Sequence, residues 1–190
     1  WESQPSISSD GRLLYFTSDR PGGYGGTDIW VSEFSSSGWS EPKNLGPSIN
    51  TSKDEQFPFI HSDNSTLYFS SNGHPGLGKS DLYLSKKVEN FKWGKPINLG
   101  YPINSRGQDW NLVVARDGKT AYFSSDQLDG FGGLDIYTFQ LPKELQADKV
   151  NYLTGYVRDA ITKKPLSASV ELSPINGEAS TLTYAKTGTG

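Results

Sequence analysis

Three stretches of this chain can be laid over one another without a gap: Leu14-Tyr15-Phe16-Thr17-Ser18, Leu67-Tyr68-Phe69-Ser70-Ser71 and Ala121-Tyr122-Phe123-Ser124-Ser125. Their phenylalanines, Phe16, Phe69 and Phe123, stand 53 and then 54 residues apart. Downstream, Asp28-Ile29-Trp30, Asp81-Leu82-Tyr83 and Asp135-Ile136-Tyr137 keep those offsets, while Trp39 and Trp93, and Asn44-Leu45-Gly46 and Asn98-Leu99-Gly100, match at 54. A period of this length marks a supersecondary unit that cannot bury its apolar surface alone and must stack on its neighbours.

Each copy reads as four short strands. In the first copy they fall around Pro5 to Ser8, Leu13 to Ser18, Asp28 to Phe34, and from Trp39 toward Leu45. Asp10-Gly11, Asp63-Asn64 and Asp117-Gly118 sit between the first two strands, where a two-residue hairpin loop needs positive φ. Four-stranded antiparallel units in tandem predict an all-β fold of β-propeller blades, over units of about 1–54, 55–108 and a partial 109–142. Ile29 and Val31 point to one face of their strand and Trp30 to the other. Trp30, Tyr83 and Tyr137, with Trp39 and Trp93, are therefore expected to pack between blades. Trp110 has no match in the earlier copies and is the candidate for an exposed binding aromatic.

The composition agrees with this class and closes off others. Twenty-one Gly and 11 Pro punctuate short bursts of β-forming residues. Eighteen Lys and Arg against 21 Asp and Glu give a net charge of −3 without a basic cluster, so nucleic acid is not an expected partner. The absence of cysteine excludes disulfides, thiolate metal sites and a cysteine nucleophile. No membrane span or leader is seen in the chain. It starts at Trp1 and carries no methionine, which reads as an excerpt of a longer or processed protein.

The most distinctive segment joins the second and third strands: Asp19 to Asp28, echoed by Asn72 to Asp81 and Asp126 to Asp135. Glycines recur at 23, 76 and 130, and at 25, 78 and 132, as in a shaped loop. Tyr24 at its tip is a ligand-binding candidate. Asp19, Asp28, Asp126 and Asp135 could supply oxygens to calcium, the one cofactor left open; the competing expectation is that they cap loop amides. Gly78-Lys79-Ser80 is no phosphate cradle, because a strand follows it. Glu2, Glu55 and Asp109 align at the approach to each first strand and could ring a cation; bonding to nearby amides or hydroxyls is the favoured expectation. His61 and His74 lack ligand spacing, and no catalytic constellation or nucleophile elbow is seen.

After Leu141-Pro142 the repeat stops. Residues 143–150 read as a polar linker with helical tendency, and residues 151–190 as the opening of a β-sandwich. Through Ser9-Asp10-Gly11, Leu14-Tyr15-Phe16, Ser18-Asp19-Arg20 and Asp28-Ile29-Trp30, roughly the first 142 residues resemble TolB-type, WD40-like propeller repeats. Through Gly155, Val157, Asp159, Thr162, Pro165 and Leu166, the tail resembles a carboxypeptidase-regulatory-like domain. This order is similar to OmpA-family envelope proteins of Bacteroidota, a group that includes the peptidoglycan-associated component of type IX secretion. The resemblance implies a periplasmic, outer-membrane- or peptidoglycan-associated protein, contacting peptidoglycan through a domain absent from this chain, and it implies no catalytic residues.

The expected function is a non-enzymatic scaffold segment that binds other envelope proteins. The alternatives are the non-catalytic propeller of a peptidase or other hydrolase, or a calcium- or glycan-binding module.

Overall fold

The computed structural model describes residues 1–126, 130–151, 156–170 and 185–186. The chain divides into two compact parts, Trp1–Val150 and Asn151–Gly190. All the strand pairings described between named strands are antiparallel.

The first repeat forms one sheet from β1 (Glu2–Ile7), β2 (Leu13–Ser18), β3 (Asp28–Ser35), β4 (Gly38–Trp39) and β5 (Lys43–Asn44). The second repeats it with β6 (Glu55–Ile60), β7 (Thr66–Ser71), β8 (Asp81–Glu89), β9 (Lys92–Trp93) and β10 (Ile97–Asn98). The third has three strands, β11 (Asp109–Val114), β12 (Thr120–Ser125) and β13 (Asp135–Gln140).

Three details differ from the sequence expectation. The first strand starts at Glu2 rather than near Pro5, and it carries a bulge. Register slips between Ser3 and Ser6, between Gln56 and Phe59, and between Trp110 and Val113. Gln4, Phe57 and Asn111 sit there at φ of 56°, 53° and 57°. Left-handed backbone at the same place in three copies, each time without glycine, makes the bulge part of the repeat.

The expected fourth strand is broken into two short pieces. Pro42 and Pro96 lack the N–H that a continuous strand would need. Across the break, Ser32 Oγ donates to Ser40 O at 2.6 Å and Ser85 Oγ to Gly94 O at 2.7 Å.

The first hairpin is longer than two residues, since Ser8 N–H closes on Leu13 O at 2.8 Å. Positive φ falls on Gly11, Asn64 and Gly118. The preceding aspartates instead accept amides with their side chains, Asp10 from Arg12, Asp63 from Ser65 and Asp117 from Lys119.

The cores lie between repeats. Tyr15, Ile29 and Val31 of the first pack against Leu67, Phe69 and Trp93 of the second; Leu82, Leu84 and Ile103 of the second meet Leu112, Ala121 and Phe123 of the third. Trp93 meets Tyr15 edge-on at 6.0 Å, as expected of a packing aromatic. Trp39 departs from that expectation: it is 46% exposed, and its ring neighbour is Phe34 of its own repeat at 5.1 Å.

Residues 141–150 are not a free spacer. After one 3-10 turn (Lys143–Leu145) the segment packs into the core, with Leu141, Leu145 and Ala147 buried. Tyr68 Oη donates to Leu145 O at 2.8 Å and Asp148 N–H to Asp63 Oδ2 at 3.0 Å. This strap meets Tyr68, the counterpart in the second repeat of Tyr15, which Trp93 contacts.

In the second part, Arg158 pairs with Pro165 across a turn in which Asp159 Oδ1 accepts the amides of Ile161 and Thr162. β14 (Ser169–Val170) pairs with β15 (Ala185–Lys186). Gly155, one of the residues carrying the resemblance of the tail, lies outside the described residues.

Candidate functional site: a cleft between the second and third repeats

The Gly-rich loops are built around their closing aspartates. Asp28 Oδ2 accepts Tyr24 N–H at 2.5 Å and Asn44 Nδ2 at 2.8 Å; Asp81 Oδ2 accepts Leu77 and Gly78 amides at 2.9 and 3.2 Å; Asp135 Oδ2 accepts Phe131 N–H at 3.0 Å. The glycine at 23, 76 and 130 follows from this cap, because a Cβ there would fall on the capping carboxylate. The glycine at 25 and 78 has another cause. A Cβ would strike backbone of the segment that leads into the next repeat, Lys53 O at 2.0 Å and Ser105 O at 2.5 Å.

The other candidate calcium ligands serve a second clip. Asn72 Oδ1 and Asp126 Oδ1 accept the amides of Asp54 and Gln108, both at 2.8 Å. Asp19 Oδ1 takes the N-terminal ammonium of Trp1 in the corresponding place at 2.6 Å. Tyr24 stands exposed on its loop.

The aligned carboxylates before the first strands do not form three equal positions. Glu2 is exposed and pairs with Arg20 at 3.1 Å. Glu55 is fully buried and accepts Thr51 N–H, Thr51 Oγ and Ser71 Oγ at 2.6, 2.8 and 2.6 Å. Burial pushes its carboxyl up from the ordinary range, against those hydrogen bonds. Asp109 is likewise buried, with Oδ2 bonded to Ser105 N–H and Oγ. Among the described residues, no group of three or more His, Asp and Glu is placed to hold a metal.

Both histidines tie neighbouring repeats together. His61 Nε2 lies 3.1 Å from Ala115 O, and His74 Nε2 lies 2.8 Å from Ile49 O. Asp63 closes on the His61 ring, its N–H lying 3.2 Å and its carboxylate 3.6 Å from His61 Nδ1.

One place breaks the repeat. A cleft of about 160 Å³ opens between the second and third repeats, lined by Asp54, Gln56, Ser70, Lys79, Gln108 and Trp110 among others. Lys79 stands where the first copy has Gly26, whose hydrogen in place of a Cβ leaves room for Asp54 Oδ1. In the first pair of repeats Asp54 reaches back to Thr27 N–H and Oγ at 3.0 and 3.1 Å. In the second pair Gln108 holds that position.

A third change leaves a polar group unmet. Thr17 Oγ donates to Gln4 Oε1 at 2.8 Å, but the residue matching Gln4 in the second copy is Phe57, which cannot accept. Its counterpart hydroxyl, Ser70 Oγ, is buried without a partner. Phe57 instead stacks on Trp110, with ring centroids 5.6 Å apart and planes 26° apart. Trp110, singled out in the sequence, is thus partly buried but lines the cleft. Lys79, Ser70 and Gln108 were missed as site residues, although each is a departure from the first copy.

No protein-family model and no curated protein matches the chain. Among solved structures it is similar to TolB from Acinetobacter baumannii, with a TM-score of 0.51 and 11% identity over 100% of this chain and 41% of that one. The chain therefore spans less than half the length of that neighbour. A likeness at this identity speaks for fold alone: the chain has an all-β, TolB-like fold of the β-propeller kind.

Proposed function

We propose that this chain is a propeller segment that binds protein partners without chemical turnover, within a periplasmic envelope protein of the OmpA family. The observation that carries the reading is the cleft between the second and third repeats. Residues that obey a repeat serve its stacking, whereas several departures gathered on one cavity are free to serve a ligand.

The remaining features support a binding role rather than a reaction. The acidic candidates are engaged in capping loops, clipping strand ends or pairing with Arg20, and both histidines bridge to backbone carbonyls. The family assignment, the propeller blades, the sandwich beginning in the second part and a role in type IX secretion rest on the motif resemblance. Contact with peptidoglycan belongs, in this reading, to a domain beyond the chain.

Affinity capture from a cell-envelope extract tests the reading. The chain is expected to retain a defined protein in fixed stoichiometry and to release it when Trp110 is replaced by Ala. Retention of none, together with saturable binding of a cell-wall sugar in calorimetry, would replace it with a glycan-binding module.

A further inference from the structure

The cleft also carries information about what it holds. It contains one free cation: Lys79 is exposed, and among the described residues no ion pair to its ammonium is found. The nearby acid is already occupied. Asp54 Oδ1 accepts Thr27 N–H and Oγ, and Oδ2 accepts Asn72 Nδ2 at 3.1 Å. Partial burial works against its charge, but these hydrogen bonds hold its carboxyl below the ordinary range.

Ser70 adds an independent signal. Its side chain is 1% exposed and lines the cleft, yet its Oγ has no partner. A buried hydroxyl without a partner is costly, so a bound acceptor would relieve it. Gln56 and Gln108 bring carboxamide donors to the same walls, and Trp110 supplies a flat apolar surface for a short aliphatic stem.

A cation, an unmet hydroxyl and carboxamides around a space of about 160 Å³ match a carboxylate on a short stem, too small a space for a folded element. We propose that the cleft receives a peptide carboxylate, paired with Lys79 Nζ and hydrogen-bonded by Ser70 Oγ. This rests on the reading of the chain as a protein-binding module and names the group it recognises. A C-terminal carboxylate and an Asp or Glu side chain share this chemistry.

Three peptides separate the outcomes: acetyl-Gly-Gly-Glu-Gly-amide, acetyl-Gly-Gly-Gly with a free C-terminus, and acetyl-Gly-Gly-Gln-Gly-amide. Binding to the intact chain is followed through the indole N–H resonance of Trp110, assigned by its loss in Trp110→Phe. One or both carboxylate peptides should shift it saturably, with an affinity that weakens as salt rises; the glutamine peptide should not. Which of the two binds identifies the source of the carboxylate. Lys79→Gln and Ser70→Ala should each weaken binding by about fivefold or more. Neither should lower the melting temperature, since Lys79 is solvent-exposed and Ser70 Oγ is unbonded in the free chain.

Equal binding of the glutamine peptide, no shift up to about 10 mM peptide, or an unchanged affinity in Lys79→Gln would overturn the proposal. If a captured partner is retained by Lys79→Gln but lost by Trp110→Ala, the carboxylate proposal fails while the protein-binding reading stands. If wild type retains no partner, the protein-binding reading fails.

Discussion

Asn50 pairs with Ile29 as though it were a neighbouring strand: its Oδ1 accepts Ile29 N–H at 2.8 Å and its Nδ2 donates to Ile29 O at 2.9 Å. The same amide also donates to Asn44 Oδ1 at 2.8 Å. Asn104 repeats all three contacts with Leu82 and Asn98. A carboxamide thus meets the outer backbone groups of β3 and β8 where the fourth strand ends. Asn50→Ala and Asn104→Ala should each cost about 1–3 kcal/mol, because a buried N–H is left unpaired, although Ile29 O and Leu82 O keep the amides of Leu45 and Leu99. Asn50→Asp should cost more, since it replaces the donor facing two oxygens with a third oxygen. Urea unfolding midpoints at constant slope would check the order.

Gly25 and Gly132 occupy the same place in the repeat but different surroundings. A Cβ at Gly25 would lie 2.0 Å from Lys53 O, whereas one at Gly132 would meet nothing within 4 Å. Gly25→Ala should lose about 1–3 kcal/mol through overpacking, and Gly132→Ala should stay within about 0.5 kcal/mol of wild type. A comparable loss for both would mean that loop conformation, not the approach of the segment leading into the next repeat, selects the glycine.

The strap is expected to contribute to stability as a core element. Leu145→Ala should cost about 2–4 kcal/mol, while Leu77→Ala, at a position 55% exposed, should stay near neutral. Thermal denaturation of the two variants against wild type decides it; equal small losses would make the strap a loosely attached linker.

Asp63 gives the first part of the chain an acid-sensitive joint. Burial opposes its charge, but His61, Thr66, the Ser65 amide and the Asp148 amide together hold its carboxyl well below the ordinary range. A depressed folded pKa means that the unfolded chain takes up the proton first. The stability Asp63 contributes is therefore present above the unfolded pKa of about 4 and lost as pH falls below it. Asp63→Asn should lower stability at pH 7 and flatten part of the decline between about pH 5 and 2. Parallel profiles for variant and wild type would assign the acid sensitivity to other groups.

Much of this was legible in the sequence because the repeat is periodic in both strand pattern and turn chemistry. β2 was placed at its observed bounds and β3 to within a residue at its end, and the caps formed by Asp28, Asp81 and Asp135 follow from glycines spaced at a constant distance. The bulge was hidden because Gln4, Phe57 and Asn111 share no residue type, only a backbone conformation. Asn50 and Asn104 repeat at the period and could have been found by extending the match past Asn-Leu-Gly. The cleft was harder to see. Its residues are departures from the pattern, and a repeat is defined by what recurs, although Trp110 stands out by size alone.

The most direct test of the account is a site-specific cross-linking experiment. With Leu77, exposed on the loop that carries Lys79, replaced by photoreactive p-benzoylphenylalanine, irradiation in an envelope extract should join the chain to a discrete partner polypeptide, whereas the same replacement at the exposed Tyr24, its counterpart in the first repeat, should not. Equal labelling from both positions, or none from position 77, would contradict the assignment of the cleft as the binding site.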